Sequence, residues 1–168
     1  MSWDLPSPFI HERVAHHTEI DGYGHVNNVV YVAWMDDCAW AHSTERGIPP
    51  ELCRQLNRGM AVWRTQVHYL GSAHEGDEIQ VATWPVLNDG KLRIERRFQI
   101  RRKADGQTLV RALIHYVCID LQTGQQVWTW AGDKDARFAG GPGVGEGTVA
   151  VGSLNGDVVA LDATTGAE

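Results

Sequence analysis

The chain has 168 residues, 43% of them hydrophobic and 21% charged, which is enough apolar material for one packed core and rules out disorder along the whole length. Lys plus Arg number 15 against 21 Asp plus Glu, a formal charge of -6, the wrong sign for a protein that coats nucleic acid. Cys38, Cys53 and Cys118 cannot all pair within the chain and show no C-x-x-C spacing, so reduced thiols in a cytoplasm are expected rather than a disulfide scaffold or zinc ribbon.

The first residues, Met1-Ser2-Trp3-Asp4, carry no cationic stretch followed by an apolar run, and no window is apolar enough for a membrane helix, so neither secretion nor membrane insertion is expected. Residues 9–18 read as a strand running into Asp21-Gly22-Tyr23-Gly24-His25, where two glycines permit a tight turn. After Asn27 and Asn28, both good N-cap residues, residues 29–46 place Tyr31, Trp34, Met35, Cys38 and Ala41 at helical spacing, with Gly47 as the stop. The spacing predicts one helix of about five turns. Val30, Ala33 and Trp40 add a second apolar face, so the helix should be largely enclosed.

Residues 59–70, 78–87, 91–103 and 108–120 are rich in Val, Ile, Thr and aromatics and are separated by turn-forming glycines, with hairpins expected at Asn88-Asp89-Gly90 and Asp105-Gly106. In 91–103 the even positions Leu92, Ile94, Phe98 and Ile100 are apolar and the odd ones polar, as in a half-buried antiparallel strand. Arg96 breaks that alternation. A strand, a buried helix and four long strands make an α+β arrangement, an antiparallel sheet curled around one long helix.

Near residue 125 the composition changes. Glycine becomes dense, with five in residues 140–147, and Asp120-Leu121-Gln122-Thr123-Gly124 recurs as Asp162-Ala163-Thr164-Thr165-Gly166, 42 positions later. That offset lies in the period expected of propeller blades. Residues 125–130, 148–153 and 157–162 read as three strands, the last two around an Asn155-Gly156 turn, where a blade needs four. The domain division is therefore 1–124 and 125–168, with the glycine run expected to be the most mobile stretch after the termini.

The segment richest in chemistry sets a carboxylate, Asp21, in the glycine turn just ahead of the buried helix. N–H groups at a helix start can hydrogen-bond an acyl carbonyl and stabilise the oxyanion formed on attack. Asp21 can then hold a water as general base or attack the carbonyl itself; an Asx residue that merely shapes the turn accounts for its position equally well. His25 either orients a substrate group or is satisfied within the turn. His16 and His17, as neighbours on a strand, would point to opposite faces, and no metal site is expected. Arg93, Arg97, Arg101 and Lys103 form a basic ladder able to meet phosphates or simply to face solvent. Cys38 and Cys118 read as packing material, as do Tyr31 and Trp34, with an acyl-lining role as the alternative.

Asp21, Gly24, His25, Val26, Asn27, Asn28, Tyr31 and Trp34 reproduce Asp-x-x-Gly-His-Val-Asn-Asn-x-x-Tyr-x-x-Trp, and residues 9–124 resemble the hotdog-fold acyl-CoA thioesterases of the 4-hydroxybenzoyl-CoA thioesterase type. The resemblance implies a sheet-wrapped helix, assembly as a homodimer or homotetramer, and hydrolysis of an acyl-CoA thioester without a cofactor. It places the catalytic carboxylate on Asp21 and the polarising backbone N–H at Asn28, with His25 beside them; Glu19 stands where relatives often have a second Asp. Arg97 and Arg101 would then contact the phosphates of coenzyme A, and Tyr31 and Trp34 the acyl group. A hotdog dehydratase or hydratase, and a non-catalytic fusion that uses its tail for protein contacts, are the competing readings. The tail, through 125–130 and 141–166, resembles one blade of the quinoprotein-like propeller of outer-membrane assembly lipoproteins, a partial blade lacking neighbours.

Overall fold

The computed structural model describes residues 3–89, 92–125, 143–145, 147–152, 158–162 and 164–167. Strand β1 (Phe9–Val14) leads through a 3-10 turn (His17–Glu19) into helix α1 (Asn28–Glu45), a short helix α2 (Pro50–Gln55), and strands β2 (Arg58–Tyr69), β3 (Glu78–Asn88), β4 (Arg93–Arg102) and β5 (Thr108–Asp120). These five strands form an antiparallel sheet in the order β1-β3-β4-β5-β2. It packs its even-numbered β4 face, with Phe98 and Ile100, on Tyr31, Trp34, Met35 and Cys38 of α1. Burying one such large side chain is worth about 1.5–3 kcal/mol, so this helix-on-sheet contact supplies most of the core.

The caps of α1 follow from its sequence. Asn27 Oδ1 accepts the N–H of Val29 at 3.0 Å. At the other end Gly47, at φ +81°, donates to Thr44 while Ile48 donates to Ser43, a Schellman close that only a residue tolerant of positive φ makes cheaply. The short α2, starting on Pro50 behind Pro49, has no counterpart in the apolar spacing, because one and a half turns are too few to show a period.

Three expectations need correction. Strand β1 stops at Val14 rather than 18, because Glu19 turns back to accept the His16 N–H at 2.8 Å and closes a 3-10 turn; His16 and His17 therefore leave the strand. Helix α1 is not enclosed by the described residues: the sheet covers one face, and Val29, Val32 and Trp40 stay exposed on another. The odd-numbered face of β4 is not simply solvated either, since residues 3–8 cross the back of the sheet. There the Asp4 N–H donates to Gln99 Oε1 at 2.9 Å, Trp84 Nε1 donates to the Pro6 carbonyl at 2.9 Å, and Arg111 Nη2 donates to Asp4 at 2.9 Å. Gln99 and Arg101 are buried beneath that strap.

Arg96 belongs to the helix-facing side of β4. Its Nη1 lies 2.9 Å from His42 Nδ1 and its Nη2 donates to Ser43 Oγ at 3.1 Å, so the residue that broke the alternation ties β4 to the last turns of α1.

In the tail, β6 (Gly143–Gly145), β7 (Thr148–Gly152) and β8 (Val158–Asp162) pair as an antiparallel three-stranded sheet. Strands β7 and β8 match expectation, and β6 falls within the glycine run expected to be mobile. Residues 126–130, expected as a first strand, and the Asn155-Gly156 turn lie outside the described residues. The repeated pentapeptide folds the same way twice. Asp120 Oδ1 accepts the N–H groups of Gln122 and Thr123 and the Thr123 hydroxyl, and Asp162 Oδ1 does the same with Thr164, Thr165 and the Thr165 hydroxyl. Gly124 and Gly166 follow at φ +70° and +73°. Hydrogen bonds from the Thr123 and Thr165 backbones hold both carboxyls below their usual range.

Candidate active site

The loop between β1 and α1 is closed at its base by an antiparallel bridge from Ile20 to Val26 and by the Asn27 N–H donating to the Glu19 carbonyl at 2.9 Å. Val26, buried in the core, donates to the Ala73 carbonyl at 2.9 Å and so anchors the loop to the connection between β2 and β3. Within it Asp21 Oδ1 accepts the N–H of Tyr23 at 2.8 Å and that of His25 at 3.3 Å. Asp21 is thus a turn-former, but through one oxygen only: Oδ2 has no hydrogen-bond donor among the described residues. Gly24 sits at φ +82°, where a side chain is strained, and a Cβ at Gly22 would meet nothing within 4 Å. The carboxylate therefore stands in an open turn held by its own hydrogen bonds.

At the start of α1, Val29 is spent on Asn27 Oδ1 and Val30 on the Asn27 carbonyl. The Asn28 N–H has no acceptor among the described residues, which leaves one donor at the positive end of the helix dipole. Tyr69 of β2 donates its hydroxyl to the Asn28 carbonyl at 3.0 Å and so fixes this first turn from the sheet. The His25 ring meets that of His74 edge to face, centroids 5.1 Å apart. Sequence spacing had no means of finding Tyr69 or His74, which reach the site from β2 and from the loop before β3.

Glu19 is committed to structure. It accepts Trp34 Nε1 at 2.9 Å and pairs with Arg13, whose guanidinium lies 4.8 Å from the Trp34 ring. Trp34 is 0% and Tyr31 2% exposed, and the Tyr31 hydroxyl accepts the Ala73 N–H at 2.8 Å. Both side chains lie in the core with their polar atoms engaged. Cys38 is buried too, and burial pushes its thiol up to about 12, out of nucleophile range. Among the described residues there is no group of three His, Cys, Asp or Glu side chains placed to hold a metal ion, and no helix is long and apolar enough to cross a membrane.

The basic ladder is divided by the fold. Arg97 is exposed, beside a groove of about 260 Å³ that it lines with Asp4, His68 and Arg111. Arg101 is 9% exposed, stacked on Trp3 and donating to the Gly106 carbonyl. Both point to the strapped side of β4, the side opposite the core face against which α1 packs, so the fold does not bring them together with Asp21, His25 and Asn28.

Among solved structures, a 1,4-dihydroxy-2-naphthoyl-CoA thioesterase from Synechocystis aligns over 71% of this chain and 88% of its own at 19% identity and a TM-score of 0.65. A DHNA-CoA thioesterase from Staphylococcus aureus aligns over 71% and 79% at 19% identity and a TM-score of 0.67. At such identities the likeness concerns the fold. The tail matches a family model described as outer membrane protein assembly factor BamB over residues 115–168. The Xanthomonas campestris BamB is 43% identical over 74 residues, 39% of this chain, and the chain spans only 18% of that relative's length. A model of the Thioesterase-like superfamily matches residues 15–139, which take in the Asp21 turn, α1 and the whole sheet from β2 to β5, and the chain belongs to that superfamily.

Proposed function

We propose that this chain hydrolyses acyl-CoA thioesters to the free acid and coenzyme A. The observation that carries the reading is the pairing of a carboxylate, Asp21, with one oxygen unengaged among the described residues, and an N–H, that of Asn28, likewise unengaged among them, at the two ends of one short, closed loop. The family and the thioesterases that share its fold support it.

In this scheme the thioester carbonyl accepts the Asn28 N–H, which polarises it and holds the oxyanion as it forms. Asp21 Oδ2 takes a proton from water as the oxygen adds to the carbonyl carbon. Collapse of the tetrahedral intermediate breaks the C–S bond, and the departing thiolate takes the proton back from Asp21. If Asp21 itself attacks, a mixed anhydride forms first and water cleaves it. His25, beside the turn, orients the water or the thioester sulfur. Each step moves a proton or an acyl group, so no electron carrier is called for. Because Arg97 lies on the face of the sheet away from Asp21 in its own chain, we assign it to the nucleotide phosphates of a substrate bound at a second copy, and a place for the acyl group near Tyr31 and Trp34 would require these core side chains to give way.

The exposed face of α1 and the edge strand β2, which presents Met60, Val62 and Trp63, are suited to burial against a second copy, and we propose a homodimer or homotetramer. Three unpaired cysteines and a coenzyme A substrate fit the reducing cytoplasm. The test is free-thiol release from a panel of aliphatic and aromatic acyl-CoAs. Hydrolysis that survives Asp21→Asn in a folded protein would overturn the scheme.

A further inference from the structure

Arg96 is only 8% exposed, yet among the described residues no carboxylate lies within ion-pairing distance of it. Its two hydrogen bonds go to the neutral acceptors His42 Nδ1 and Ser43 Oγ. Burial first, and the Arg96 charge second, lower the pKa of His42 and so keep its ring uncharged. A guanidinium does not shed its charge to escape burial as a lysine does, so a lone buried one is costly unless an anion joins it.

The surroundings supply a place for that anion. Arg96 lines a cleft of about 130 Å³ together with Ile94, Tyr116, Trp40, Met60 and, at the rim, Asp36. Among the described residues its Nε finds no acceptor, and it is not one of the enclosed unpartnered nitrogens. That N–H therefore keeps some access to open space. Burial pushes the Tyr116 phenol up to about 12, so it remains a neutral hydrogen-bond donor. The volume is close to that of an apolar cavity able to take a benzene ring, about 150 Å³.

We propose that this cleft is a binding site for a small organic carboxylate whose apolar body is about the size of one aromatic ring, with Arg96 as the group that recognises the carboxylate. Ile94, Met60 and Trp40 contact the ring, while Tyr116 offers a second donor to the anion. Asp36 repels a second negative charge at the rim, so a monoanion with a buried head is preferred to a dianion. Ala39, which also lines the cleft, follows Asn28 by eleven helical residues, roughly 16 Å. A single-ring acyl group held at Asn28 does not span that distance, so within one chain the cleft and the thioester site are separate places. The site does not depend on the hydrolytic role of Asp21.

The probe is benzoate, compared with its neutral isostere benzamide, titrated into the full-length protein and followed by calorimetry. Benzoate should bind at least about tenfold more tightly than benzamide, a margin expected of a charge-assisted contact. Arg96→Met should remove that preference while leaving benzamide unchanged. Ile48→Trp, which fills the cleft from an exposed position on its wall, should weaken both and leaves Arg96 with its partners, so the test stands even if Arg96→Met does not fold. Equal binding of the two probes, or no binding of benzoate, or unchanged benzoate binding by either folded variant, overturns the site. Inhibition of acyl-CoA hydrolysis tests the separation of the two places: non-competitive behaviour supports a site for a free acid apart from the thioester site, and competition that persists in Ile48→Trp overturns it.

Discussion

The five-stranded region and the tail use the same kind of turn and differ in everything that a turn does not supply. Around α1 the sheet encloses a continuous cluster from Ala15 to Tyr116, whereas in the tail Val149 and Leu161 are the buried apolar residues among those described. Yet Asp120, at the end of β5, and Asp162, at the end of β8, make matching sets of hydrogen bonds to the residues that follow. A pentapeptide with its own carboxylate, threonine and positive-φ glycine forms wherever a strand ends. A core forms only where enough apolar surface converges.

The largest effect separating the two regions should be catalytic. Asp21→Asn is expected to lower turnover by at least about a hundredfold, the scale of a positioned base or nucleophile, while Asp162→Asn leaves it unchanged; thiol release from acyl-CoA reads both. Comparable losses from the two would mean that the tail shares the site. Stability comes next. Trp34→Ala should cost about 3–5 kcal/mol in urea unfolding, and Leu161→Ala should leave that main transition in place.

A moderate effect is expected on the back of the sheet. Arg97→Ala should raise KM for acyl-CoA severalfold more than for a short thioester without the nucleotide, whereas Arg101→Ala, which uncovers Trp3, should act mainly on melting temperature. Equal shifts in KM for both substrates would return Arg97 to a solvent-facing role. The pH response is smaller. Burial of His42 lowers its pKa in the folded state, so the unfolded chain binds the proton more readily. The stability this neutral ring contributes is present above its ordinary value near 6.5 and is lost as pH falls through the lowered one. His42→Gln should flatten the decline in melting temperature below pH 6.5, and an unaltered slope would remove His42 as its source. The smallest effect should follow truncation after Gln126, with activity kept and melting temperature little changed. Loss of either would move the domain boundary beyond residue 125.

Much of the architecture was legible because it rests on near neighbours in sequence. Asn27 and Gly47 mark the ends of α1, and Asp105-Gly106 and the two Asp-x-x-Thr-Gly turns are closed by bonds spanning two to five residues. The candidate site could be nominated for the same reason, since Asp21, His25 and Asn28 all lie within one loop and the helix it feeds. The strap was not. Asp4 and Arg111 stand 107 positions apart and Asp4 and Gln99 95 apart, and no periodicity in β4 records which odd-numbered side chains a distant segment will cover. Helix α1 misled in the opposite way: apolar residues on two faces state that both are to be buried, without stating by what.

The sequence by itself therefore determined the elements, their caps and turns, and the loop carrying Asp21 and Asn28, because backbone propensity and short-range hydrogen bonding act over a few residues. Tertiary structure alone decided that Arg96 points at α1 rather than solvent, that Arg101 is covered while Arg97 is not, and that Tyr69 and His74 stand beside the Asp21 loop. Those outcomes depend on which surfaces meet once the chain has closed on itself, and a side chain's environment is set there by partners far away along the chain.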